Sequence, residues 1–106
     1  MLDFLRKTEV TSIHVNDIEN LLGKIELFDI REPYEYNTGS LKSSKNIPMD
    51  KLLNTPEKYM DKEKEYYIIC QSGGRSMATS KALTKAGYKV INVAGGVGSY
   101  VGTKKH

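Results

Sequence analysis

The chain has little cysteine: Cys70 is the single thiol among 106 residues. One thiol excludes an internal disulfide framework, a Cys-x-x-Cys redox pair and a zinc site built from several cysteines. No apolar run approaches the about 20 residues that a membrane-spanning helix needs. Charged side chains at Asp3, Arg6, Lys7 and Glu9 interrupt the N-terminus, where a secretion signal would be apolar. We therefore expect a cytoplasmic protein in which any thiol chemistry uses one sulfur atom.

The sequence also lacks a basic stripe. Its sixteen lysine and arginine residues and thirteen aspartate and glutamate residues are mixed along the chain and leave a net charge of +3. Nucleic acid is not expected as a partner because its binding needs clustered cations, whereas a mild positive bias favours small anionic substrates. The length predicts a single domain over 1–106, with its core at about 11–101 and a short polar C-terminal tail.

The first half of the chain predicts short elements separated by polar breakers. Asn16 followed by Glu19 is typical of a capped helix start, and Gly23 is a plausible stop. Residues 26–30 have the length and apolar content of a buried strand, and residues 52–60 indicate two short helical pieces. These patterns are those of a small α/β domain.

The second half contains the clearest unit, a strand at 66–69, a tight loop at 70–74, a helix over 75–86 and a strand over 89–93. The pattern predicts that Gly87 ends this helix with a left-handed residue. The apolar face of the helix is expected to consist of Ala78, Ala82, Leu83 and Ala86. A strand-helix-strand unit crosses over right-handedly into a parallel pair, so the sheet should be mostly parallel.

The segment from Cys70 to Ser76, here named the cysteine loop, is the candidate site. It lies at the carboxyl end of a strand, where open parallel sheets bind ligands. The adjacent Gly73 and Gly74 let successive N–H groups turn inward, and these groups together with the helix dipole stabilise an anion. That anion can be the Cys70 thiolate, whose pKa falls in such surroundings, or the outer sulfur of a persulfide. A lone cysteine is often only a small buried apolar residue, but its place before this glycine-rich turn favours a nucleophile.

This loop, with the sequence Cys-Gln-Ser-Gly-Gly-Arg-Ser, resembles the active-site loop of the rhodanese family. Further segments agree in order and spacing, and the resemblance covers roughly residues 11–100. These segments are Phe28–Glu32 with Tyr34–Tyr36, then Asn46–Pro48, then Gly95–Val97. The resemblance implies a rhodanese-like α/β fold, with a central, mostly parallel β-sheet flanked by helices on both faces. Where the family usually reads Gly-His-Ile-x-Gly-Ala, this chain has Gly39–Ser44, and Tyr100 stands where a tryptophan is common.

The resemblance also implies a reaction. Cys70 would take sulfane sulfur from a donor such as thiosulfate, hold it as a persulfide, and pass it to cyanide or a thiol by double displacement. No metal or organic cofactor is required. The residues expected to bind the anionic substrate are Gln71, Ser72, Gly73, Gly74, Arg75 and Ser76, and those expected to support the site are Asp29 and Arg31.

The roles of the charged residues stay open at this stage. Arg75 either contacts substrate or pairs with a carboxylate such as Asp29 on a neighbouring strand, and both roles can coexist. Arg31 and Glu35 are four residues apart, so a local ion pair on a solvated turn is expected.

Other functions remain as alternatives. A protein-binding module of the same fold would not need Cys70, and a persulfide carrier would use it to serve a protein partner. Phosphatases that resemble rhodaneses carry Cys-x5-Arg, one residue longer than the interval from Cys70 to Arg75, so the shorter loop favours sulfur over a phosphoryl group. Arsenate reduction would normally use a second cysteine.

Overall fold

A parallel β-sheet forms the centre of the computed structural model, which describes residues 9–106. Within those residues the sheet has five strands in the order β1-β5-β4-β2-β3, and all neighbouring strands run parallel. The strands are β1 (Thr11–His14), β2 (Glu26–Asp29), β3 (Lys45–Asn46), β4 (Glu65–Ile69) and β5 (Lys89–Ala94). The predicted parallel α/β architecture is confirmed.

Short helices connect the strands and cover both faces of the sheet. The α-helices are α1 (Pro33–Tyr36), α2 (Met49–Asn54) and α3 (Gly74–Lys85), and 3₁₀ helices occur at Val15–Asp17, Glu19–Leu21, Pro56–Lys58 and Val97–Ser99. The helix α3 joins β4 to β5, which pair side by side, so the predicted strand-helix-strand unit is confirmed. Gly87 ends it with a φ of +95°.

The core has two layers, one on each face of the sheet. Ile68 and Ile69 are both fully buried and belong to different layers, because successive side chains of a strand point to opposite faces. One layer contains Leu52 of α2 and Leu83 of α3. The other is covered by 3₁₀ helices and includes Val15. Strands buried on both faces explain the continuous apolar run of β4.

The helix predicted from Asn16 to Gly23 is wrong. The segment instead forms two 3₁₀ turns, and the N–H of Asn16 donates to the His14 imidazole. The Asn16 side chain binds the backbone of Ser99 and Val101, more than 80 residues away in sequence. These distant contacts use the polar groups that a local helix cap would have used.

The predicted buried face of α3 is wrong except for Leu83. Ala78, Ala82 and Ala86 are exposed, and the helix turns a different set of residues toward the sheet. That set is Ser76, Thr79, Ser80 and Leu83. Contact between Ser76 and Cys70 fixes the rotation of the helix, and the helical period then turns positions three, four and seven residues later inward.

No helix in the described range 9–106 is long and apolar enough to cross a membrane. The expectation that the N-terminus is not a secretion signal depends largely on residues 1–8, which lie outside the described residues.

Candidate active site

Cys70 lies one residue beyond the end of β4, at the carboxyl edge of the sheet, and is 1% exposed. Its Sγ accepts hydrogen bonds from the N–H of Gly73 at 3.1 Å and the N–H of Ser76 at 3.3 Å. The backbone can turn two amides onto one atom because Gly73 has a φ of +107°, a left-handed conformation that glycine adopts without strain. The Sγ–H of the neutral thiol donates to Ser76 Oγ at 3.4 Å, and that hydroxyl donates to the Gly73 carbonyl at 3.1 Å.

The cysteine loop favours the ionised form of the thiol. Burial raises the pKa of Cys70. Once the thiol has lost its proton, the hydroxyl of Ser76 can donate to the thiolate, and this bond and the N–H groups of Ser76, Gly73 and Ser72 lower the pKa by more. The net result is a pKa below the ordinary value for cysteine. The N-terminus of α3, which begins at Gly74, adds the positive end of a twelve-residue helix dipole. The sulfur is therefore held as an anion more readily than in water.

A second segment, which contains Val97 and Gly98, holds the backbone of the cysteine loop in place through hydrogen bonds. Val97 N–H donates to the Cys70 carbonyl at 2.9 Å, and Gly98 N–H donates to the Gln71 carbonyl at 2.9 Å. In a trans peptide the carbonyl and the following N–H point in opposite directions. Holding these two carbonyls on the Val97 side consequently turns the N–H groups of Gln71 and Ser72 toward the other side, where the Ser72 amide helps to lower the pKa of the Cys70 thiol.

Only glycine fits at Gly96, next to this clamp. A Cβ there would overlap the carbonyl oxygens of Cys70 and Gln71, and the residue has a φ of +67°. Gly95 and Gly96 belong to a segment of the family resemblance, but the sequence alone gave them no part in shaping the site. The pair of glycines after a strand was the available signal, but nothing in the sequence tells which loop they approach.

Arg31 forms a buried network that reaches the loop. It is 2% exposed and donates from Nη2 to Asp29 Oδ2 at 2.8 Å, while Asp29 is fully buried. Arg31 Nη1 donates to Gln71 Oε1 at 2.9 Å, and Ser40 Oγ donates to Asp29 Oδ2 at 2.6 Å. The expected ion pair between Arg31 and Glu35 is therefore wrong: the arginine turns inward and satisfies the carboxylate two residues before it.

Arg75 points to a different carboxylate from the one suggested by the sequence. Its two terminal nitrogens donate to Glu35 of α1 at 2.7 and 2.8 Å, so the suggested pairing with Asp29 is wrong. This hydrogen-bonded pair is the main cause that lowers the pKa of Glu35 to about 2, and it raises the pKa of Arg75. Asp29 is already occupied by Arg31, whereas α1 carries Glu35 to the end of the cysteine loop.

The predicted substrate-binding residues thus divide into two groups. Gly73 and Ser76 donate their N–H groups to Sγ, and the N–H of Ser72 also lowers the pKa of the thiol. The side chains of Gln71 and Arg75 are instead held by Arg31 and Glu35, and Gly74 is the first residue of α3. The arrangement can stabilise a small anion on or beside the sulfur through backbone N–H groups.

Comparison with known proteins identifies the family. The model of the rhodanese-like domain matches residues 14–103. The chain belongs to this family. YtwF of Bacillus subtilis, whose name assigns it provisionally to the sulfurtransferases, is 39% identical over 84 residues that cover 77% of this chain and 79% of that protein.

Solved structures of rhodanese-like proteins share the fold. A rhodanese-related protein of Thermoplasma volcanium is 33% identical, with a TM-score of 0.76, over 86% of this chain and 90% of that one. The CoADR-RHD protein of Bacillus anthracis is 36% identical, with a TM-score of 0.78, over 86% of this chain but 16% of its own. Rhodanese-like membership and the sulfurtransferase names among the relatives support a role in sulfur transfer or sulfur carriage.

Proposed function

We propose that this rhodanese-like protein is a sulfurtransferase that moves sulfane sulfur from thiosulfate or a persulfide donor to cyanide or a thiol, through a persulfide on Cys70. The observation that carries the proposal is the pair of backbone N–H groups, from Gly73 and Ser76, that donate to one cysteine sulfur. The Ser72 amide also lowers the pKa of this thiol. Such donors stabilise a thiolate and equally the outer sulfur of a persulfide, as an oxyanion hole stabilises oxygen.

In the first step the Cys70 thiolate attacks the outer sulfur of thiosulfate. A sulfur–sulfur bond forms to Cys70, the bond between the two thiosulfate sulfurs breaks, and its electron pair leaves with sulfite. The product is the Cys70 persulfide anion, held by the amides of the cysteine loop. Because Cys70 is almost fully buried, the site favours a small donor whose outer sulfur can reach it.

In the second step an acceptor thiolate attacks the outer sulfur of the persulfide. A bond forms between the acceptor sulfur and that outer sulfur, the bond to Cys70 Sγ breaks, and the thiolate of Cys70 returns. The acceptor thiol must come from another molecule, since the sequence contains no second cysteine. Gly74 is proposed to begin α3. Asp29 and Arg31 are proposed to hold the cysteine loop in position.

The short interval from Cys70 to Arg75 favours this chemistry over phosphate-ester hydrolysis. Arg75 is engaged by Glu35 at 2.7 Å, so its charge is balanced before any substrate binds. A persulfide carrier that serves a partner protein would use the same first step and differ in the acceptor.

The test is to incubate the protein with thiosulfate and to measure its intact mass. We expect the gain of one sulfur atom, removal of that sulfur by cyanide, and neither change in Cys70→Ser. A protein that gains no sulfur from thiosulfate or from any persulfide donor would contradict the proposal, as would a gain that persists in Cys70→Ser. Hydrolysis of a phosphate ester that is lost in the same variant would favour the phosphatase alternative.

A further inference from the structure

A groove with a volume of about 410 Å³ opens beside the cysteine loop. Met49 and Leu53 supply its exposed apolar surface, and the lining also includes Arg75 and the fully buried Ile30. Ile30 follows β2, just as Cys70 follows β4, and Asp29 of β2 pairs in register with Ile69 of β4. Neighbouring strands lie about 4.8 Å apart, so Ile30 lies next to Cys70 and links the lining of the groove to the position of the reactive sulfur.

The rim of this groove is acidic. Glu32 and Asp50 line it and are exposed, and neither forms an ion pair with another residue in 9–106. Arg75, the one cation that residues 9–106 contribute to the lining, is already balanced by Glu35. The groove therefore combines an apolar floor with two negative charges that no side chain in the described part of the chain balances, in a protein whose net charge is positive.

We propose that this groove binds the sulfur acceptor, and that the preferred acceptor is a small aliphatic thiol that carries an ammonium group. The apolar floor suits a short carbon chain, the acidic rim suits the cation, and the volume is that of a small-molecule site. An anionic thiol would be repelled by the same rim. This inference rests on the proposed function and concerns its second step, in which the acceptor thiolate takes the outer sulfur and Cys70 leaves as thiolate.

The test separates the two steps. The Cys70 persulfide is first prepared with thiosulfate, or with a persulfide donor if thiosulfate gives none, confirmed by intact mass and freed of donor. It is then mixed with cysteamine, 2-mercaptoethanol or 3-mercaptopropionate, which have similar size but positive, neutral and negative charge, and the second-order rate of sulfur loss is measured. Each rate is divided by that of the double variant Glu32→Gln/Asp50→Asn with the same thiol, so that the intrinsic reactivity of the thiol cancels.

We expect this ratio to be about fivefold for cysteamine, near one for 2-mercaptoethanol and below one for 3-mercaptopropionate, since one charge beside a carboxylate in water gains about that factor. The cysteamine ratio should shrink at high salt because exposed charges are screened. Glutamine at position 32 keeps an oxygen that can accept the Glu35 N–H in the capping box of α1, which preserves the local fold.

The matched control is Glu63→Gln/Glu65→Gln. It removes the same charge from exposed positions at the amino end of β4, the opposite edge of the sheet, and should leave all three rates unchanged. Equal ratios for the three thiols, or the same loss in this control, would overturn the inference while leaving the proposed function intact. Failure to form the persulfide with thiosulfate and with every persulfide donor would overturn both.

Discussion

Replacing Asp29 by asparagine should strongly destabilise the protein. The substitution keeps the shape of the side chain but removes the negative charge that faces Arg31, and both side chains are at most 2% exposed. The carboxylate accepts the N–H and the side-chain N–H groups of Arg31 and the hydroxyl of Ser40. An amide nitrogen in its place would face these donors, and the arginine would remain buried without a counter-charge.

Removing one partner of a buried ion pair costs about 3–5 kcal/mol, a large share of the about 5–15 kcal/mol by which domains are stable. Urea unfolding measures the change. With a slope of about 1.5 kcal/mol per molar urea, a loss of 3 kcal/mol lowers the midpoint by roughly 2 M and leaves the slope unchanged. The control is Glu26→Gln, which breaks the surface pair of Glu26 with Lys45, whose side chains are 48% and 69% exposed. It should cost less than about 1 kcal/mol.

A double variant distinguishes the cost of leaving a buried charge unpaired from the cost of changing the packing around it. Asp29→Leu/Arg31→Met removes both charges and leaves apolar groups, so it should be more stable than Asp29→Asn. If Asp29→Asn costs no more than the surface control, or if the double variant is less stable than the single one, the buried charge of Arg31 is not what makes this network sensitive.

Three further variants test the loop. Ser76→Ala removes a hydroxyl that stabilises the thiolate, so the pKa of Cys70 should rise and alkylation at neutral pH should slow several-fold, as measured by the alkylation rate against pH. Glu35→Gln should lower the free energy of unfolding by up to about 1 kcal/mol at neutral pH, since Arg75 is partly exposed. Because the pKa of Glu35 is lowered to about 2, the difference from wild type in urea unfolding should shrink as pH falls from about 4.5 through 2. Gly96→Ala should slow sulfur uptake from thiosulfate at least tenfold.

For each of these variants, one outcome would contradict the prediction. For Gly96→Ala the control is Gly87→Ala, which has a similar left-handed φ of +95° but meets only the Lys62 side chain. Equal uptake by the two folded variants would show that backbone strain alone explains the effect. An unchanged alkylation profile in Ser76→Ala, or a stability difference for the Glu35 variant that persists at pH 2, would contradict the contacts assigned to those side chains.

The strand-loop-helix unit around Cys70 could be predicted from sequence because its signals are local. An apolar run, adjacent glycines and a left-handed stop at Gly87 depend on neighbours within a few residues. The same locality explains why the position of the cysteine at a strand end was predicted correctly. The helix expected from Asn16 failed for the opposite reason, since its polar groups bind Ser99 and Val101 across the molecule.

The charged residues show most clearly what the sequence alone determines. It determined which side chains carry charge, and the spacing of Arg31 and Glu35 allowed a local pair. Only the tertiary structure decided that Arg31 turns into the core toward Asp29 while Glu35 meets Arg75, forty residues away. An arginine side chain is long enough to reach several carboxylates. The carboxylate with which it pairs is the one that the packed strands and helices bring within about 3 Å. The sequence thus determined the single sulfur and the glycine-containing loop that surrounds it, and the packing of distant segments decided how that loop is supported.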